Sequence, residues 1–287
     1  MHFNFRQRLA ALAAWAVLSA PAWGAATATA DYSDLWWNAS ENGWGVQLQQ
    51  QDDVIFMTLY VYAADGAPEW FVASDMRPLV FVGAAPPTWQ GALYRTSGPA
   101  YAGGFDPHSV TQAAVGTATV EFSTDSTATL RYSVDGTEVV KSVTRLTWRS
   151  NPPAAGAYNG GMSVVISSCP EPDLLGTIDL FGAMTTTVAG SRVTMAFSSP
   201  KLAGLPSSCT FGGDYRQDGR LGTITGNFSC SLFFGADDRG EAPRNISKRG
   251  SFTIRQVEVS SGGVYGKLSA VDQDCKLDGY IGGVRLP

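Results

Sequence analysis

The chain has 287 residues, 44% of them hydrophobic and only 16% charged. That apolar content supplies a core and excludes intrinsic disorder, and the length suits one large or two medium domains. A formal net charge of −5, with no basic run, argues against nucleic acid and anionic membrane surfaces as partners.

Residues 1–24 read as a signal peptide. Arg6 and Arg8 precede an apolar run at 9–20, and small residues Ala22 and Gly24 occupy the positions that a signal peptidase reads. About twelve apolar residues are too few for a spanning helix, which needs ~20. Cleavage removes two arginines and no acid, so the mature charge becomes −7. The expected address is periplasmic or secreted, with no transmembrane segment in the mature chain.

Residues 31–45 hold three tryptophans in nine positions, at a turn that enters a strand: Trp36, Trp37 and Trp44, with Asn38 and Glu41 between them. Period-two alternation then recurs. Trp44, Val46 and Leu48 alternate with Gly45, Gln47 and Gln49. Residues 117–122 and 127–134 follow suit, while residues 54–62 are apolar on both faces; Asp65-Gly66, Thr124-Asp125-Ser126 and Asp135-Gly136 separate these segments. Strands at this spacing predict an antiparallel meander closing into a barrel or sandwich, because closure removes unpaired edges. Residues 96–111, with Pro99, Gly103, Gly104 and Pro107, form the longest stretch without a strand pattern and are expected to lie over one end.

All tryptophans after residue 24 precede residue 150, and all four cysteines follow it. Between them, residues 150–156 carry Pro152-Pro153, which blocks strand pairing and marks a linker. Two domains follow, 31–149 and 157–287. The second is again β-patterned, with Phe252 and Ile254 on one parity and Val257 and Val259 on the other. That slip at Arg255-Gln256 predicts a β-bulge. The fold class is therefore all-β: two antiparallel meander barrel-like or sandwich domains in tandem.

Four cysteines allow three pairings. Cys209 and Cys230 flank Asp218-Gly219-Arg220-Leu221, and a hairpin centred there sets them opposite each other. Cys169 then joins Cys275, which requires the first and last strands of the domain to meet. A zinc site is disfavoured because the short paired ligand spacing is absent.

Function is read from the aromatics. Flat rings stack on sugar faces while Asn38 and Glu41 orient hydroxyls, and Tyr60, Tyr62, Glu69, Trp70, Trp89, Tyr94 and Arg95 extend the surface. The opposing reading is that the tryptophans plug the barrel and fill its core. Adjacent Trp36 and Trp37 face opposite ways in an extended segment, so one core cannot take both.

The run Trp36-Trp37-Asn38, Glu41-x-Gly43-Trp44-Gly45, Asp65-Gly66-x-Pro68-x-Trp70 and Val115-Gly116-Thr117-Ala118-Thr119 resembles an uncharacterised β-rich module of secreted proteobacterial proteins, over residues 31–148. The resemblance implies an exported, compact β fold and carries over no catalytic residue. The second domain is loosely similar to avidin- or lipocalin-type barrels, which implies a fold and no activity.

An enzyme finds little support. His108 is the one histidine outside the signal region, and no Gly-x-Ser-x-Gly elbow accompanies it. The remaining route is a carboxylate pair of glycosidase type, drawn from Glu41, Glu69, Asp34 and Asp75. The expectation is a non-catalytic binding protein without cofactor or metal, taking a small-molecule or glycan ligand at Trp36, Trp37, Asn38, Glu41, Trp44, Tyr60, Tyr62, Trp70, Tyr94 and Arg95. The alternative is a protein–protein module of the envelope, such as an enzyme inhibitor.

Overall fold

The computed structural model describes residues 30–79, 86–170, 175–199, 207–234 and 244–287. The expected signal peptide lies outside the described residues. The chain forms two closed antiparallel barrels of eight strands each, in simple meander order. The first comprises β1 (Asp34–Trp37), β2 (Gly45–Gln51), β3 (Val54–Tyr62), β4 (Pro68–Pro78), β5 (Thr88–Ser97), β6 (Thr111–Phe122), β7 (Thr127–Val134) and β8 (Thr137–Arg145). Pairing of Trp36 with Arg145 and Trp37 with Thr144 closes it. The second comprises β9 (Gly156–Ser167), β10 (Gly176–Ala189), β11 (Arg192–Ser198), β12 (Ser208–Asp218), β13 (Leu221–Phe234), β14 (Arg244–Ser260), β15 (Gly263–Asp272) and β16 (Cys275–Arg285). Here β9 and β16 close the ring, from Ser167 opposite Lys276 to Tyr158 opposite Arg285.

Alternation explains both cores. On β3 the inward Ile55, Met57 and Leu59 are wholly buried, while Phe56 and Tyr60 face out. Trp36, Leu48, Phe71 and Leu130 fill the rest of the first barrel. Each such burial stabilises by about 1.5–3 kcal/mol. The second core centres on Phe211, whose ring meets those of Phe197, Phe228 and Phe252 at 6.0, 5.7 and 5.2 Å. Tight coiling brings backbones very close. A Cβ on Gly116 would stand 1.9 Å from the Ser133 carbonyl oxygen, so only glycine fits there.

The expected bulge is present. The register of β14 against β15 shifts between Arg255 and Glu258, and Gln256 adopts φ +52°. Both disulfides form as expected. Cys209 and Cys230 are direct cross-strand partners, and Cys169 joins Cys275 beside the β9–β16 seam. Two bridges fit a periplasmic or extracellular protein. Among the described residues no helix is long and apolar enough to cross a membrane.

One expectation fails. The loop between β5 and β6 does not cover a barrel end, because residues 100–110 are exposed throughout. The loop is organised locally instead, as Asp106 caps a single 3-10 turn at Pro107–Ser109.

The base of the first barrel is sealed and docked. Tyr32 stacks on Phe122 at 3.6 Å, and Trp36 meets the same ring edge-on at 5.4 Å. Arg145 Nη1 donates to Asp34 Oδ2 at 3.0 Å, with both side chains almost fully buried. The tip of the β12–β13 hairpin reaches this base from the second barrel. Arg220 N donates to Asp34 Oδ2 at 2.8 Å, Arg220 Nε to the Ser33 carbonyl at 3.0 Å, and its guanidinium pairs with Asp31. Burial works to raise the Asp31 carboxyl. Hydrogen bonds from Ser33 and the Arg220 charge overcome it and hold Asp31 below the usual carboxylate range.

The connecting segment is also seated. Asn151 N donates to Gln217 Oε1 at 2.9 Å, and the Tyr215 hydroxyl donates to the Asn151 carbonyl at 2.9 Å. Gly219 sits at φ +66°, and a Cβ there would stand 2.1 Å from Asp34 Oδ2. Gly219→Ala is therefore expected to undock the barrels without unfolding either, since a left-handed alanine alone costs about 1–2 kcal/mol. Small-angle scattering should show a larger radius of gyration; an unchanged radius contradicts this account of the dock.

Candidate functional site

The structure divides the sequence-derived site residues into three places. Trp36 belongs to the core. It is 1% exposed, and its indole Nε1 donates to the Tyr32 carbonyl at 3.0 Å. No ring face is left for a ligand, which corrects the expectation that Trp36 forms part of the platform. The reason is parity: Trp36 points inward on β1, and its half-buried neighbour Trp37 points outward. Trp89 is likewise core.

The second place is the upper mouth of the first barrel, opposite the docked base. The β1–β2 loop turns on Asn38, whose Oδ1 accepts from Ser40 N at 3.0 Å and Ser40 Oγ at 2.7 Å. That turn sets Glu41 at the rim of the mouth, with its side chain 39% exposed. Glu41 Oε2 accepts from Trp44 Nε1 at 3.0 Å and from Lys141 Nζ at 2.7 Å. The Lys141 ammonium also lies 5.6 Å from the centre of the Trp44 ring. Arg95, from β5, donates to Glu69 at 2.9 Å and to Asp135 at 3.0 Å, over the Phe71 ring at 5.2 Å. Glu41 and Arg95 are thus held in ion pairs that brace the mouth. Sequence reasoning missed Lys141 and Asp135. A signal for Lys141 existed: it shares the parity of Val139 and Val143 on β8, so it had to point inward.

The candidate carboxylates each have a separate cation. Glu41 has Lys141, Glu69 has Arg95, Asp34 has Arg145 and Asp75 has Arg77. The Lys141 hydrogen bond, against a little burial and aided by Trp44, holds Glu41 below the ordinary glutamate range. A glycosidase general acid needs the opposite shift.

The third place is the outer wall of β3, β4 and β5. Tyr60, Tyr62 and Trp70 are 42%, 58% and 50% exposed. Tyr60 on β3 is the direct cross-strand partner of Trp70 on β4. One step down the sheet, Val72 on β4 is the partner of half-buried Tyr94 on β5. Trp70 and Tyr94 are therefore diagonal neighbours at roughly 7–8 Å, within reach of large rings. The Tyr60 hydroxyl donates to Gln47 Oε1 at 3.1 Å, which fixes one end of the strip. Glycine shapes its upper edge, since Gly43 takes φ +116° with the Tyr62 ring only about 3.5 Å from where a Cβ would be. The outcome is an open aromatic strip across three strands, with amide and hydroxyl groups at its margin.

Compared with family models, with curated proteins and with solved structures, the chain matches none.

Proposed function

We propose that this is a non-catalytic binding protein of the periplasm or extracellular space, and that it takes a glycan along the outer wall of its first barrel. The supporting observation is the exposed strip of Tyr60, Trp70, Tyr62 and Tyr94. Contiguous exposed aromatic surface is rare on folded proteins unless something covers it. Rings aligned across strands about 4.8 Å apart suit an extended chain of sugar rings, whose C–H faces stack while hydroxyls reach groups such as Gln47. The likeness of residues 31–148 to a module of secreted proteins is part of the same proposal.

Titration of the full chain with chito- and cello-oligosaccharides, followed by tryptophan fluorescence, tests it. Quenching is expected, and Trp70→Ala or Tyr60→Ala should each weaken binding about tenfold, equivalent to ~1.4 kcal/mol. Because both rings are surface residues, stability should shift by no more than about 0.5 kcal/mol. Unchanged fluorescence, or variants that bind as the parent does, refutes the reading.

Phe56, exposed on the same wall of β3, extends the strip without a polar partner and favours the alternative of a protein ligand. Capture of one stoichiometric envelope protein by the parent, and not by Trp70→Ala, would decide for that alternative.

A further inference from the structure

A cavity of about 570 Å³ lies between the barrels, beside the docked hairpin. Its size is that of a small-ligand site, and domain interfaces are where such sites concentrate. Its lining is rich in donors. Arg145, Arg216, Arg255 and Lys267 face it, against two carboxylates, Asp125 and Asp218. Arg145 is engaged with Asp34, and Arg216 meets Asp218 at 2.8 Å. Arg255 stands 3.9 Å from Asp125, too far for a hydrogen bond. Burial pushes the Asp218 carboxyl up in spite of Arg216, and pushes the Lys267 ammonium down.

Gln256 adds an independent sign. It lines the cavity at the β14 bulge, in the left-handed region at φ +52°. Its amide Nε2 is buried without a hydrogen-bond partner. A strained non-glycine residue carrying an orphan donor is costly, and such strain gathers at functional sites. Rotation of the amide would offer that donor to an acceptor in the cavity. The stacked Tyr32–Phe122 pair supplies an apolar wall for the body of the same molecule.

We propose that this inter-barrel cavity binds a small organic oxyanion, a carboxylate or phosphate on a compact body, with Arg216, Arg255, Lys267 and the Gln256 amide as donors. The site is separate from the outer-wall strip and stands or falls without it. An occupant touches both barrels at once, so it also ties them together.

Calorimetric titration of the full chain with D-glucuronate, glucose 1-phosphate and neutral glucose tests this. At least one charged sugar should bind, with an affinity that falls as salt is added, and glucose should not. Preference between the two identifies the oxyanion. Arg255→Gln combined with Lys267→Gln should weaken binding at least about tenfold, and Gln256→Leu, which leaves every charge in place, by about tenfold as well. Trp70→Ala should leave this binding unchanged, which separates it from the wall. The proposal is overturned if neither charged sugar binds at about 10 mM, if glucose binds as well as glucuronate, or if the Arg255/Lys267 variant, folded by circular dichroism, binds like the parent.

Discussion

Arg145→Met is expected to destabilise the protein by about 3–5 kcal/mol in urea unfolding, the range for breaking a buried ion pair from one side. The side chains of Arg145 and Asp34 are 2% and 5% exposed. Removing the guanidinium leaves a buried carboxylate without a countercharge on that side, held by the backbone N–H groups of Leu35 and Arg220. It also strips donors from the carbonyls of Asp31, Ser33 and Asp125. Methionine keeps much of the stem volume, so the loss reports the charge and its hydrogen bonds rather than a cavity. Adding Asp34→Asn to Arg145→Met should recover part of the loss, since the stranded charge is then gone. A single-variant loss below about 1 kcal/mol would mean that water reaches Asp34 and the base is not sealed.

The second large effect belongs to the seam of the second barrel. Cys169→Ala with Cys275→Ala is expected to cost about 4.7 kcal/mol, against a little over 3 kcal/mol for Cys209→Ala with Cys230→Ala. In the chain-entropy account the difference follows from sequence separations of 106 and 21 residues. There is also a topological reason. The longer loop spans nearly the whole barrel and joins residues next to the strands that must find each other last, whereas β12 and β13 are joined by a two-residue turn already. Paired urea titrations of the two double variants check the ranking. If the shorter bridge costs more, the seam is held by strand pairing alone.

The barrel architecture was legible because its cause is local. Alternation at 44–49, 117–122 and 127–134 dictated which side chains face in, and the Asp218-Gly219 turn dictated the register that sets Cys209 opposite Cys230. The phase slip at Arg255-Gln256 likewise announced its bulge. The candidate site was legible only in part. Tyr60, Tyr62, Trp70 and Tyr94 do share an outer face, and strand parity could have shown it. The same parity would have sent Trp36 into the core, but the density of aromatics at 36–44 outweighed it. Glu41 and Arg95 gave no sign of being tied to Lys141, Glu69 and Asp135, because those partners lie tens of residues away in the chain. The dock was invisible for the same reason, since Asp34 and Arg220 are 186 positions apart.

That distance bears on how the molecule is made. As the chain is synthesised, the strands of the first barrel are complete by Arg145, and the ring can shut with Asp34 already on Arg145. Its lower rim is then unfinished, for Asp31 and the Ser33 carbonyl lack the cation that arrives with Arg220. The second barrel thus completes the rim of the first, and a chain ending after Arg145 would expose Asp31 without its cation.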